Sequence, residues 1–390
     1  MSDQSKKWLE KVCAGKSRRD AELLMRAVDT LEGNVYRENK YLWSPCRCIS
    51  PGMTSFPGVW NWDAAFHAVG VSRWDMELAR ENISGFLQFQ CEDGMLPDVL
   101  LERGEILAIS SKPPVFAWAV EILHRRCPDM DFLKEVYPKL VKNEAFWSGK
   151  RCYEGLFYYD ASNVGSKDYE LFVKFESGWD NSVRWDQTIV DYWAIDLNCF
   201  MALFYRSLAY LAGELELTAD VGRWSKREKE LNERINEKLW DQEQEWYVDA
   251  DRFSGKKSSV LTPASFMPLY LGIASRKQAE GMNKLAADPD KFYSGMPTVA
   301  YDDPEYSTEY WRGPTWLNVA YFAAKGLKNY GFVVADEIKE TILNWCDRNK
   351  SGIYENYDSK TGEGLCCDHF SWSAVFVMEF ILNYNAPSHR

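Results

Sequence analysis

The chain has 390 residues with 58 acidic and 46 basic side chains, and its formal net charge of −12 argues against a nucleic-acid binder, which needs a basic face to displace counterions from phosphates. Hydrophobic residues make up 46% at a mean hydropathy of −0.41, enough for a large core and too much for disorder. Aromatic residues are the outlier: 17 Trp, 21 Tyr and 20 Phe point to a concave surface that stacks flat, hydroxylated ligands, a description that sugars fit.

The N-terminal stretch MSDQSKKWLEKVCAGKSRRD has no apolar signal-like core, and no later run approaches the roughly 18 continuous apolar residues of a membrane span. A cytoplasmic protein with no membrane or nucleic-acid partner is expected. The ten cysteines then read as reduced thiols. Neither the Cys46-x-Cys48 pair nor adjacent Cys366 and Cys367 has the spacing of a structural zinc site, so no metal and no cofactor are expected.

In chain order, apolar stripes at helical spacing predict helices over 18–32, 62–72, 74–90, 112–126, 130–150, 187–213, 218–241, 264–274, 276–287, 314–329, 331–348 and 370–385. Short aromatic pieces between them, GLFYYD around Leu156, EWYVDAD around Trp246 and GIYENYD around Ile353, alternate as small hairpins do. No linker or low-complexity tract divides the chain, so one domain over 1–390 is expected. Twelve helices over 390 residues leave about 32 residues for each helix and its connection. That arithmetic fits an all-α fold, an (α/α)6 barrel or toroid of inner and outer helices with short β-hairpins in the loops and a funnel at one end.

Four acid-rich and aromatic-rich clusters fall at helix starts or in loops, where function concentrates. The first is PGVWNWDAAFHAVG, with Trp60, Trp62 and Asp63. QFQCEDGMLPDVL follows, where Gln90 is the residue expected to face a ligand, and after it SSKPPVFAWAV. The third, FESGWDNSVRWDQT, packs Glu176, Trp179, Asp180, Asn181, Arg184, Trp185 and Asp186 together. The fourth joins EYWRGPTW, with Glu309, Tyr310, Trp311, Arg312 and Trp316, to YENYDSKTGEGLCCDHFSW, with Glu355, Tyr357, Glu363, His369 and Trp372.

Two carboxylates in an aromatic funnel can hydrolyse a glycosidic bond, one protonating the leaving oxygen while the other activates water or attacks the anomeric carbon. Burial against tryptophan raises a carboxyl pKa, which suits Asp180 beside Trp179 to the acid role. The sequence has no GxSxG elbow, P-loop, GxGxxG or HExxH, so nucleophile-triad, nucleotide and zinc-peptidase chemistry lack their usual motifs. Of the histidines, His124 lies in a basic LHRRC run and His389 at the tail, which leaves His67 and His369 near the clusters.

At these residues the sequence resembles glycoside hydrolase family 63 and, more distantly, the family 37 trehalases. SGWDNSVRWD resembles a GWDNSPRFD signature, YWRGPTW resembles YWRGPxW, and ENYDSKTGEG followed by FSWSA resembles the family's closing motif. QFQCEDGMLPD and KPPVFAWAV look like those of the family's compact bacterial members, the mannosylglycerate and glucosylglycerate hydrolases. Val183 and Trp185 stand where the signature has Pro and Phe.

The resemblance, from Trp60 to Trp372, implies the same barrel and an inverting mechanism on a small α-glucoside or α-mannoside, a disaccharide or glycosylglycerate. It assigns the general acid to Asp180 and the general base to Glu355, with Glu363 as the rival base. It places Trp62, Asp63, Gln90, Trp179, Asn181, Trp311, Arg312 and Gly313 in motifs that line the family's sugar pocket, and Trp60, Arg184, Glu363 and Trp372 are expected to bind substrate beside them. A glycerate carboxylate would need a cation at the mouth, for which Arg103, Lys112 and Arg184 are candidates. The alternatives are trehalase-like specificity, a sugar epimerase using His67 and His369 on the same barrel, and a non-catalytic sugar binder.

Overall fold

The structure, a computed structural model, describes residues 1–36, 46–161, 168–186 and 191–386. Its helices are α1 (Asp3–Cys13), α2 (Arg18–Gly33), α3 (Asn61–Val71), α4 (Met76–Leu87), α5 (Phe116–Arg126), α6 (Met130–Lys150), α7 (Tyr169–Ser177), α8 (Ile195–Glu214), α9 (Thr218–Lys238), α10 (Met267–Leu271), α11 (Arg276–Ala287), α12 (Leu317–Asn329), α13 (Val334–Arg348) and α14 (Ser371–Leu382). Many begin where a side chain satisfies the free amides of the first turn. Ser17 caps α2, Asp75 caps α4, Asp129 caps α6, and Ser275 with Gln278 forms a capping box on α11.

The helices fall into two sets. α3 packs on α5, α5 on α8, α8 on α10, α10 on α12, α12 on α14, and α14 returns to α3, so these neighbours close a cycle. Outside it, α2 covers α3 and α14, α4 covers α3 and α5, α6 covers α5 and α8, α9 covers α8, and α13 covers α12 and α14. A helix covered on two sides must be apolar around most of its circumference, whereas one facing water needs only a stripe. Hence every residue of α3 is buried, while α9 buries Trp224, Leu231 and Ile235 and exposes its charges. Among the described residues no helix is long and apolar enough to cross a membrane.

The predicted hairpins are present at Cys152–Tyr153 with Leu156–Phe157, Trp240–Asp241 with Trp246–Tyr247, and Asn356–Tyr357 with Gly364–Leu365. Three further strand sets, of two or three residues a strand, have no counterpart in the prediction. They are Val35–Tyr36 with Cys48–Ile49, Tyr192–Trp193 with Ala250–Asp251, and a three-stranded sheet of Gly58–Trp60, Val99–Leu101 and Ile106–Leu107.

Helix boundaries also differ from the prediction. α1 has no counterpart in it: this helix buries only Ser5 and Leu9, too little for an apolar stripe. α7, likewise absent from the prediction, is a nine-residue helix burying only Val173, Glu176 and Ser177. The helix expected over 112–126 begins at Phe116, because Pro113 and Pro114 hold the preceding residues out of helical geometry. The segment expected at 264–274 divides into a tight turn over Pro263–Phe266 and the short α10, which Gly272 ends in a left-handed conformation at φ 72°. The helix expected from 187 begins at Ile195, and 187–190 lie outside the described residues.

Candidate active site

Two motif loops are stapled together at one end of the inner helices. α7 stops at Gly178, whose φ of 73° favours glycine and where a Cβ would stand 2.5 Å from the Trp62 ring. That one position therefore fixes both the helix stop and the contact between the two tryptophan motifs. Just beyond it, Asn181 Oδ1 accepts the Trp311 amide at 2.8 Å, and Arg312 forks onto Asp186 at 2.8 and 2.7 Å. Gly313 is needed for close approach, since a Cβ there would lie 2.1 Å from the Ser307 carbonyl oxygen. Behind the loops Trp179 lies 5.0 Å from Trp311, which stacks on Trp316 at 3.9 Å and 9°. These rings leave the loops little freedom.

Glu355 is held by its backbone and its carboxylate alike. Its amide donates to the Cys367 carbonyl at 2.7 Å, and Ser373 Oγ donates to its carbonyl at 3.1 Å. The Tyr310 hydroxyl donates to Oε1 at 3.0 Å, and the Cys367 amide lies 3.4 Å from Oε2. Tyr310 reaches it from a left-handed backbone at φ 49°, a conformation that persists in a bulky residue only where its surroundings impose it. Trp316 Nε1 supplies part of that constraint by donating to the Tyr310 carbonyl at 3.0 Å.

These residues line a cavity of about 460 Å³, open mouth included. Asp63, Asp180, Glu355 and Lys112 are its ionisable lining, and Phe56, Trp60, Trp62, Tyr310, Trp311, Trp316, Phe370 and Trp372 are its aromatic wall. Among the described residues, the buried indole N–H groups of Trp60 and Trp372, two residues of this wall, have no hydrogen-bond partner.

All three carboxyls are pushed upward. Burial lifts Asp180 to about 6, with Lys112 opposing and Asp98 adding to the rise. Glu355 is lifted by burial to about 7, against the hydrogen bonds from Tyr310 and Cys367 and with a contribution from Asp180. Asp63, in the first turn of α3, is carried by burial to about 8 despite Lys112. Carboxyls that feel one another titrate as a set, so their order does not separate acid from base. Their hydrogen bonding differs: Glu355 is gripped by two donors, and among the described residues no side chain donates to Asp180.

Of the residues singled out in the sequence, Trp60, Trp62, Asp63, Asp180, Trp311, Glu355 and Trp372 line the cavity. Trp179, Asn181, Arg312 and Gly313 stand behind it and join the loops. Gln90 does not line it: its amide donates to the Gly94 and Lys139 carbonyls at 3.0 and 2.9 Å and so anchors a turn. Arg184 is buried elsewhere, bonded to Asp196 and Asp249, because a guanidinium amid packed tryptophans needs such partners. Glu176 is likewise consumed by Arg151. Glu363 is exposed in the turn beyond Glu355 and is not part of the lining.

The three candidate cations for a glycerate carboxylate are all committed: Arg103 to Glu105 at 2.8 Å, Lys112 to Asp98 at 3.0 Å, and Arg184 as above. Tyr310, Trp316 and Lys112 belong to the lining although the motifs containing them point chiefly to other residues. Phe56 and Phe370, each beside a motif tryptophan, have no stronger signal than aromatic character.

Neither histidine of the epimerase alternative lines the cavity. His67 is fully buried against the Ile49 carbonyl at 3.2 Å, and burial depresses it to about 3, while exposed His369 pairs with Asp368 at 2.9 Å. His124 is buried beside Glu214 at 3.3 Å, and His389 lies outside the described residues. No group of three or more His, Cys, Asp or Glu among the described residues is placed to hold a metal ion.

Comparison with known proteins gives a consistent picture. A family model described as the mannosylglycerate hydrolase MGH1-like glycoside hydrolase domain matches residues 56–373. A mannosylglycerate hydrolase of Rubrobacter radiotolerans is 25% identical, over 85% of this chain and 92% of its own. A GH63 mannosylglycerate hydrolase of Thermus thermophilus, solved in complex with glucose, aligns at TM-score 0.76 and 25% identity over 93% of this chain and 100% of that one. That enzyme has also been solved with Tris and D-glycerate, at TM-score 0.77 and 24% identity over 93% and 100% of the two chains. A neutral trehalase of Saccharomyces cerevisiae, 18% identical with TM-score 0.71 over 87% of this chain and 73% of its own, shares the fold.

Proposed function

The chain belongs to the mannosylglycerate hydrolase MGH1-like glycoside hydrolase family and is a glycosidase, and we propose that it is an inverting α-glycoside hydrolase with Asp180 as general acid and Glu355 as general base. Its substrate is a small α-mannoside or α-glucoside, of the glycosylglycerate or disaccharide kind. The scaffold is read as one cytoplasmic domain over 1–390, an (α/α)6 barrel whose inner ring is the closed cycle of α3, α5, α8, α10, α12 and α14.

The observation that carries this reading is the meeting of two carboxyls from distant parts of the chain on one tryptophan-walled cavity, each raised toward neutrality by burial. The indole faces hold the apolar side of a sugar ring. Asp180, to which no side chain among the described residues donates, carries the proton and gives it to the glycosidic oxygen as the C–O bond breaks. Glu355, oriented by Tyr310 and Cys367, takes a proton from a water that attacks the anomeric carbon from the opposite face. One water is consumed, a free sugar of inverted configuration and an alcohol leave, and exchange with solvent resets both carboxyls. That geometry requires a carboxyl separation of about 6.5–9.5 Å rather than about 5 Å.

Since Lys112 is paired with Asp98 and Arg184 with Asp249, the cavity wall itself reads the sugar ring more closely than an acidic aglycone. Asp63 is assigned to sugar hydroxyls, protonated below about pH 8 and able to donate. The test is a panel of α-linked disaccharides, mannosylglycerate and glucosylglycerate, followed by NMR from the first turnovers. The β-anomer should appear first. Release of the α-anomer would refute inversion, and failure to cleave any member would refute the substrate class.

A further inference from the structure

Lys112 is 5% exposed, an unusual place for an ammonium, and its contacts span two walls of the cavity. Its Nζ lies 3.0 Å from Asp98 Oδ1 and donates to the Phe175 carbonyl in the last turn of α7, the helix that leads through Gly178 to Asp180. Asp98 belongs to the opposite wall: its carbonyl accepts the Asn61 amide at 3.0 Å, at the start of the helix carrying Trp62 and Asp63. The backbone on either side of the lysine is held, because Pro113 and Pro114 follow it and the Ser111 amide donates to Glu176 at 3.4 Å.

We propose that Lys112 is a positioning residue for the general acid, one buried ammonium that ties the segment bearing Asp180 to the segment bearing Trp60 and Asp63 and faces the acid across the cavity wall. The proposal rests on the reading of Asp180 as the acid. The groups facing Asp180 are Lys112, Asp98, Glu355 and Tyr310, and of these only Lys112 is cationic. Lys112 keeps its charge: burial works against it, and Asp98, Asp180 and Asp63 outweigh burial. Its charge in turn opposes the rise that burial imposes on Asp180 and Asp63.

The experiment compares wild type with Lys112→Met, Lys112→Gln and Lys112→Arg. Carbon-13 NMR of labelled Asp carboxyls, with Asp180 assigned by its loss in Asp180→Asn, follows titration, and kcat/KM is measured against pH. Both neutral variants should raise the Asp180 midpoint by about one to three pH units, the usual effect of an opposite charge. The optimum lies midway between the acid and base midpoints, so it should move up by roughly half a unit to one and a half units.

Lys112→Arg should leave both where wild type has them. A merely structural lysine would lower thermal stability without moving either midpoint, and that result overturns the proposal. A moved Asp180 titration with a fixed kinetic optimum would instead remove Asp180 from the acid role and leave the coupling standing. Should the neutral variants not fold, Lys112→Arg decides alone: a shifted midpoint in a variant that keeps the charge overturns the proposal.

Discussion

Replacing Tyr310 by Phe removes one hydroxyl, 3.0 Å from Glu355 Oε1, and keeps the ring that packs 5.0 Å from Trp316. A hydrogen bond to a charged group is worth about 1.5–3 kcal/mol, and each pH unit corresponds to about 1.4 kcal/mol, so the Glu355 midpoint should climb from about 7 by roughly one to two units. Turnover needs Glu355 ionised while Asp180, near 6, is still protonated. With midpoints in that order, raising the base by one to two units cuts the correctly protonated fraction at the optimum by roughly sevenfold to sixtyfold. The optimum itself should move from about 6.5 upward by roughly half a unit to one unit, since it lies midway between the two midpoints. The assay is kcat/KM from pH 5 to 9 with thermal unfolding run in parallel. An optimum that stays in place, with kcat/KM within twofold of wild type, would refute the claim that Tyr310 governs the base.

Two further outcomes follow from the same geometry. Asp180→Asn should lower turnover of an unactivated α-glycoside by about two to four orders of magnitude and be largely rescued by an aryl glycoside with a good leaving group. Equal losses on both substrates would remove Asp180 from acid catalysis. Asp63→Asn should weaken sugar binding, yet its stability relative to wild type should grow with pH. The folded chain holds a proton on Asp63 up to about pH 8, whereas an unfolded Asp releases it near 4. Wild-type stability from this group is therefore complete below about pH 4 and is lost as the pH rises to about 8, a change on the order of a few kcal/mol that asparagine escapes. A difference in melting temperature that stays flat between pH 5 and 9 would contradict that assignment.

The sequence alone determined the parts that local chemistry fixes. Apolar stripes located the inner and outer helices because burial on two faces forces a composition visible in any window, as in α3 and α14. The roles of the motif glycines belong to the tertiary structure, since Gly178 and Gly313 sit where a side chain would strike Trp62 or the Ser307 carbonyl. What only the tertiary structure decided is which charges are free. Arg184 and Gln90 stand among candidate ligands in the sequence, yet one is spent on Asp196 and Asp249 and the other on two carbonyls. Glu355 and Glu363 are neighbours in the chain, but a hairpin turn buries the first and exposes the second. Lys112 acquires its place from Asp98 and Phe175, remote from it in sequence. A buried charge is defined by its partners, and partners drawn from distant segments leave no periodic trace in the order of residues.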